Sequence, residues 1–187
     1  MDVYLIRHTT PAVPRGTCYG FSDVDLARSF PQELTSVKRR LEINRDFTVY
    51  SSPLSRCARL AQLLAKNGLQ YDDRLKEMNF GDWEMQMWDD LDSKEFAAWS
   101  ADFFNKPAPN GESYRDLYER SISFLNDLRE RKDSPVAVVA HSGVIRSMII
   151  HVLGMPKENL YNFDITYAGI SKLCFEDNRW RMVYCNL

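Results

Sequence analysis

The sequence has no apolar run long enough to cross a bilayer, so none of its segments reads as a membrane span. It has no excess of basic charge. Its 24 Lys and Arg face 26 Asp and Glu, for a formal net charge of -2, and the sequence pI is about 5.9. Binding a nucleic-acid backbone selects a basic face, so nucleic acid is not an expected partner. The opening stretch Met1-Asp2-Val3-Tyr4-Leu5-Ile6 has no basic region before it and no small-residue cleavage site after it, which argues against a secretory leader. Cysteine is sparse. Cys18, Cys57, Cys174 and Cys185 are scattered, with neither metal-site spacing nor a disulfide framework. Reduced thiols in a cytoplasmic protein are the expectation. There is no internal repeat and no low-complexity segment.

What is present suits one domain spanning residues 1–187 around one substantial core, since 44% of the 187 residues are hydrophobic. Three short apolar runs, Val3 to Ile6, Phe47 to Tyr50 and Val136 to Ala140, read as strands buried on both faces, as in a parallel sheet. Helical patterns lie between and after them. Leu54, Cys57, Ala58, Ala61, Leu64 and Ala65 form one stripe, with Ser52 as its expected cap, Pro53 in its first turn and Gly68 at its stop. A second helix is expected from about Tyr114 to Arg131. A third runs from Val144 to Leu153 and is ended by Gly154 and Pro156. Ile170 to Phe175 and Trp180 to Tyr184 flank Asp177-Asn178 as a hairpin. The expected fold class is α/β: a three-layer α/β/α sandwich with a mostly parallel central sheet. A lid insertion is expected at about 71–111, rich in Trp, Phe, Met and Asp, with most of its aromatics packing its own small core.

Each of the three strands ends in polar residues suited to phosphate. Arg7 and His8 follow the first. Ser51-Ser52-Pro53-Leu54-Ser55-Arg56 follows the second. His141-Ser142-Gly143 follows the third. Ligands of open α/β sheets gather outside the carboxyl ends of strands, so parallel strands would bring two histidines and two arginines to one edge. A phosphate monoester is a dianion, and arginine offers it a planar fork matched to two oxygens. A neutral imidazole is a competent nucleophile near physiological pH. The backbone N–H groups of Ser142 and Gly143, at a helix start, are candidates to hold a phosphate oxygen.

Taken together, Arg7-His8, Gly20-Phe21-Ser22-Asp23-Val24-Asp25-Leu26, Ser51 to Cys57, Leu75 to Glu84, Gly111-Glu112-Ser113 and Ala140 to Arg146 closely resemble the histidine phosphatase superfamily, the phosphoglycerate mutase-like group. The details are most similar to its α-ribazole phosphatase branch. The resemblance implies that His8 becomes phosphohistidine. It implies that Arg7, Arg56 and His141 clamp the phosphoryl oxygens, and that Glu77 protonates the leaving alkoxide and later activates water. It implies no cofactor and no metal. Thr9, Thr10, Tyr19, Gly20, Ser142 and Gly143 are the candidate phosphate- and substrate-binding residues. Thr9 and Thr10 stand where the family usually has Gly and Glu or Gln, and Met85 where it often has Gly.

Competing readings exist for several residues. Arg59 competes with Arg56, and Asp73, Asp82 and Glu84 compete with Glu77. Glu112 reads as a helix-capping residue and Arg146 as the partner of an acid. His141 and His151 lie roughly a dozen ångströms apart along a helix at about 1.5 Å per residue, too far to share a metal ion. The expected activity is hydrolysis of a small phosphate monoester, with α-ribazole 5′-phosphate of cobalamin biosynthesis as first substrate. The alternatives are another sugar or metabolite phosphate, a phosphoglycerate mutase, and a non-enzymatic phosphate-binding protein. The expected partner is therefore a small-molecule phosphate ester, with the oligomeric state left open, a homodimer included.

Overall fold

The computed structural model describes residues 1–41, 46–131 and 135–187. Six strands form one sheet: β1 (Asp2–Arg7), β2 (Thr48–Ser51), β3 (Leu69–Tyr71), β4 (Val136–Ala140), β5 (Ile170–Glu176) and β6 (Arg179–Tyr184), in the order β3-β2-β4-β1-β5-β6. The first four in that order run parallel. β5 runs antiparallel to β1, and β6 antiparallel to β5. Five α-helices accompany them: α1 (Phe30–Arg40), α2 (Ser55–Leu64), α3 (Ser93–Ser100), α4 (Tyr114–Arg129) and α5 (Ser142–Leu153). None is long and apolar enough to cross a membrane, among the described residues.

The unbroken apolar runs follow from burial on both faces. Successive strand side chains point to opposite sides. Val3 and Leu5 of β1 and Val136 and Val138 of β4 join a core with Leu117, Phe124, Leu125 and Leu128 of α4 and Val144, Ile145 and Met148 of α5. Their neighbours Tyr4, Ile6, Ala137 and Val139 join the opposite core, with Val37 of α1 and Cys57, Leu60, Ala61 and Leu64 of α2. The result is the expected three layers. Between β3 and α4 the chain makes short 3₁₀ turns and α3. Trp83, Trp88, Phe96 and Trp99 interlock there, with ring centroids 5.3 to 6.5 Å apart. The cluster is continuous with the α4–α5 core.

Three local expectations are corrected. α2 begins at Ser55 behind Leu54, not at a Ser52 cap. The Ser52 hydroxyl instead accepts from Leu54 N at 3.3 Å and meets His141 at 2.9 Å. Gly68, with φ +72, belongs to the turn into β3, because the helix already ends at Leu64. Glu112 does not cap α4. Ser113 does, in a capping box with Asp116. The expected hairpin is present between β5 and β6. Asp177 and Asn178 both take positive φ, 51° and 57°, the conformation a two-residue turn with native strand twist requires. α1 and β3 had no counterpart in the sequence reading.

The capping box gives a direct test. Ser113 Oγ accepts from Asp116 N, while Ser113 N donates to the Asp116 carboxylate at 2.8 Å. Ser113→Ala removes one half of this exchange and should cost about 1 kcal/mol of unfolding free energy, measured by urea titration.

Candidate active site

The site begins with strand register. β1 and β4 pair with Arg7 opposite Ala140, so the two strands end level. His8 N donates to Ala140 O at 3.0 Å, one step beyond the last pair. The rings of His8 and His141 then meet edge to face, with centroids 5.1 Å apart. On the other side of β4, Ser52 N donates to Val139 O at 3.0 Å, which brings the β2–α2 junction to the same level. Arg56, in the first turn of α2, is fully buried. Arg59 is exposed and takes no part.

His8 is 2% exposed. Its Nδ1 lies 2.8 Å from Thr9 O. A carbonyl oxygen only accepts, so Nδ1 carries the proton. In a neutral ring the lone pair is then on Nε2. Burial, and after it the positive charges of Arg56 and Arg7, hold the imidazole pKa well below its ordinary value. The side chain is neutral at physiological pH and nucleophilic at Nε2.

Both arginines are fixed by carbonyls. Arg56 Nη1 donates to Ser22 O at 2.9 Å and Nη2 to Gly20 O at 2.6 Å. Arg7 Nη1 donates to Ile165 O at 2.5 Å. The Nε atoms of both are buried and have no hydrogen-bond partner among the described residues. Buried donors left unpaired are costly, which favours an acceptor arriving with a ligand. The Gly20–Ser22 loop owes its shape to Glu84, whose carboxylate accepts from the N–H groups of Gly20, Phe21, Ser22 and Phe80 at 2.9 to 3.0 Å. Burial alone would raise the Glu84 pKa, but hydrogen bonds from Ser22, Gly20, Phe80 and Phe21 carry it below the usual range. A Cβ at Gly20 would stand 1.7 Å from Met78 O, so only glycine fits there.

Glu77 is the one competing carboxylate that reaches the cavity beside His8. Asp73, Asp82 and Glu84 do not line it. Glu77 Oε2 accepts from Gly143 N, and Oε1 from Met78 N, both at 3.1 Å. A Cβ at Gly143 would come within 2.3 Å of Glu77 Oε1. The Gly143 N–H is therefore directed at the acid, rather than free for a phosphate oxygen. Arg120 anchors the acid's own backbone. It donates to the carbonyls of Arg74, Lys76 and Glu77 and pairs with Glu112 at 2.9 Å.

The remaining sequence candidates separate. Tyr19 and Ser142 line the cavity. His141, Thr9 and Gly20 do not. His141 Nε2 lies 2.9 Å from Ser52 Oγ and 3.4 Å from Cys57 Sγ, behind His8. Thr9 is fully buried, with its hydroxyl unpartnered among the described residues. Thr10 N donates to Glu33 Oε2 at 2.8 Å, and Thr10 lines an adjoining cavity. His151 Nδ1 meets the Tyr118 hydroxyl at 2.9 Å. Arg146 corrects an expectation. It finds no acid among the described residues, donating instead to the carbonyls of Leu160 and Phe163 and to Ser142 Oγ, and it lines the cavity. Sequence reasoning also missed Tyr167, whose ring lies 3.8 Å from the Arg7 guanidinium and 5.5 Å from the His8 ring.

The cavity measures about 310 Å³. Its polar lining includes Arg7, His8, Arg56, Glu77 and Arg146. Its aromatic lining includes Phe80, Trp88, Trp99, Tyr114 and Tyr161. A neutral nucleophile, fixed cations and a carboxyl group in one small cavity are the components of in-line transfer of a phosphoryl group.

Comparison with known proteins agrees with this geometry. The adenosylcobalamin/alpha-ribazole phosphatase of Escherichia coli (strain K12) is 30% identical, covering 88% of this chain and 85% of that protein. Phosphoserine phosphatase 1 of Hydrogenobacter thermophilus is 27% identical, over 96% of this chain and 89% of that protein. The crystal structure of the alpha-ribazole phosphatase from Shigella flexneri superposes with a TM-score of 0.92 at 25% identity, covering 100% of this chain and 96% of that one. The sequence profile of the histidine phosphatase superfamily (branch 1) matches residues 3–187. With that match lying on strands whose tips bring His8 to His141, the chain belongs to branch 1 of the histidine phosphatase superfamily.

Proposed function

We propose that this phosphatase hydrolyses α-ribazole 5′-phosphate, releasing α-ribazole in the assembly of the cobalamin nucleotide loop in the cytoplasm. His8 Nε2 attacks phosphorus while the P–O bond to the substrate's alcohol breaks. Glu77, acting as the general acid, gives a proton to the departing alkoxide. Water then attacks the phosphohistidine, Glu77 takes the proton from that water, and phosphate leaves with His8 neutral again. Arg7 and Arg56 neutralise the charge that the transition state spreads over the equatorial oxygens.

The observation that carries the substrate assignment is the aromatic lining. Phe80, Trp88, Trp99, Tyr114 and Tyr161 surround the same cavity as His8. A flat heteroaromatic base enclosed there would lose an aromatic side chain's worth of exposed surface, on the order of 4 kcal/mol of binding. Arg146 favours a second reading. A guanidinium in the cavity with no acidic partner among the described residues suits a carboxylate on the leaving group, as in phosphoserine.

A substrate panel in EDTA decides between the readings. α-Ribazole 5′-phosphate should give a kcat/KM at least about tenfold above those of phosphoserine, 3-phosphoglycerate and sugar phosphates, a margin of about 1.4 kcal/mol. A preference for phosphoserine would establish the second reading, and phosphate exchange between glycerates without net release would make the protein a mutase. His8→Ala should abolish turnover on every substrate.

Glu77→Gln should cost poor leaving groups roughly 100-fold or more, and p-nitrophenyl phosphate much less, because p-nitrophenolate departs without a proton. Equal losses on both would remove Glu77 from the acid role.

The neutral nucleophile carries a pH consequence. His8 and His141 are both held well below their ordinary pKa, first by burial and then by Arg56. The unfolded chain takes up these protons at about pH 6.5 and the folded one does not, so the stability that these two groups contribute is fully present above that pH and is lost as pH falls below it. Histidine ring ¹⁵N spectra at pH 6.5 should show His8 as the neutral Nδ1–H tautomer. A protonated His8 at that pH would contradict the mechanism.

A further inference from the structure

Tyr19 and Tyr167 close over the catalytic centre, each resting on one of the arginines that flank the nucleophile. The Arg7 guanidinium carbon is 3.8 Å from the Tyr167 ring centroid, and that of Arg56 is 5.3 Å from the Tyr19 centroid. The two hydroxyls meet at 2.7 Å. A phenol has one proton to donate, so in this pair one O–H points at its neighbour and the other makes no hydrogen bond among the described residues. Both side chains line the catalytic cavity, and both also line the adjoining cavity of about 390 Å³, so the pair stands between the two. The backbone beneath Tyr167 is pinned. Ala168 N donates to His8 O and Arg7 N to Gly169 O, each at 3.1 Å. Opening the pair therefore needs only side-chain rotation, on the ps–ns scale of exposed rotamers.

We propose that the hydroxyls of Tyr19 and Tyr167 are ligands of the transferring phosphoryl group. This rests on the phosphatase reading of the same site. When the ester enters between Arg7 and Arg56, the Tyr19–Tyr167 hydrogen bond opens and each O–H turns onto an equatorial phosphoryl oxygen. One neutral bond is exchanged for two bonds to a dianion, and charge-assisted bonds are about twice as strong as neutral ones. Burial and the Tyr167 hydroxyl push the Tyr19 pKa above its ordinary value, which keeps that phenol a donor. The Tyr167 ring, with its centroid 5.5 Å from that of His8, stands beside a nucleophile that is itself almost wholly buried.

Tyr19→Phe, Tyr167→Phe and the double variant test this, since phenylalanine keeps each ring on its arginine. Two quantities are measured: kcat/KM on p-nitrophenyl phosphate and the Kd of inorganic phosphate by calorimetry. Each single variant should lower kcat/KM by roughly 10- to 100-fold, weaken phosphate binding several-fold, and be surpassed by the double variant. If the tyrosines only brace each other, either single change already breaks their bond. The singles and the double would then behave alike, with phosphate binding unchanged or tighter, and the proposal would be overturned. An active parent with unaltered phenylalanine variants sinks this inference alone. A parent that neither hydrolyses the ester nor binds phosphate removes the phosphatase reading and this inference with it.

Discussion

The parallel pairing of β1 with β4, with Arg7 opposite Ala140, is the constraint on which the rest of the site depends. Strand side chains alternate, so a slip of one residue would turn Arg7 and His8 to the wrong faces and exchange the two cores. The register is held by what lies on either side. Val3 and Leu5 fit only the α4–α5 core, while Tyr4 and Ile6 fit only the core against α1 and α2. Apolar packing that knows nothing of catalysis thus sets the 5.1 Å contact between the His8 and His141 rings.

Around that pair the protein treats positive charge in one consistent way. Arg7, Arg56 and Arg146 all donate to backbone carbonyls: Ile165, then Gly20 and Ser22, then Leu160 and Phe163. A carbonyl fixes a guanidinium without cancelling its charge. A carboxylate in the same place would do both, and a bound phosphate would face a neutral pair. Of the carboxylates, Glu77 lines the cavity itself, while two others stand one step back. Glu84 shapes the loop that holds Arg56, and Glu112 braces Arg120, which holds the backbone of Glu77. The positive charge also serves the nucleophile, because after burial the guanidiniums of Arg56 and Arg7 help keep His8 unprotonated.

This division explains what the sequence made legible. β1, β2 and β4 were visible because burial on both faces writes an unbroken apolar run. α4 and α5 were visible through their helical stripes, and Arg7, His8 and Arg56 because they sit beside strand ends. α1 does carry a stripe at helical spacing, Phe30, Leu34, Val37 and, just past its end, Leu41, all packed on the same core, but only Val37 within the helix is fully buried and the stripe is thin among its polar residues. β3 is three residues long and largely exposed. The start of α2 was misplaced because Ser52 has a cap's chemistry but serves Leu54 and His141 instead. The supporting residues act across long sequence separations. Glu84 reaches back 62 to 64 residues to its loop, and Arg7 reaches forward 158 residues to Ile165. No local pattern records contacts of that kind, so Tyr167 and the true environment of Arg146 emerged only from the folded chain.

The glycines show where the chemistry tolerates no change. A Cβ at Gly20 or Gly143 would stand 1.7 or 2.3 Å from its nearest neighbour, so the approach of the Met78 carbonyl and of Glu77 depends on hydrogen at those positions. Position 9, beside the nucleophile, is different: Thr9 is completely buried, and its carbonyl holds Nδ1 of His8. The catalytic geometry is therefore set by backbone approach at two points. The aromatic lining comes from side chains: Phe80, Trp88 and Trp99 touch each other and the cavity. The chain superposes with a TM-score of 0.92 on a relative at 25% identity, so the scaffold persists through wide change in sequence. In this fold the strand tips carry the nucleophile and the arginines, and the segment that covers them supplies the aromatic wall of the cavity.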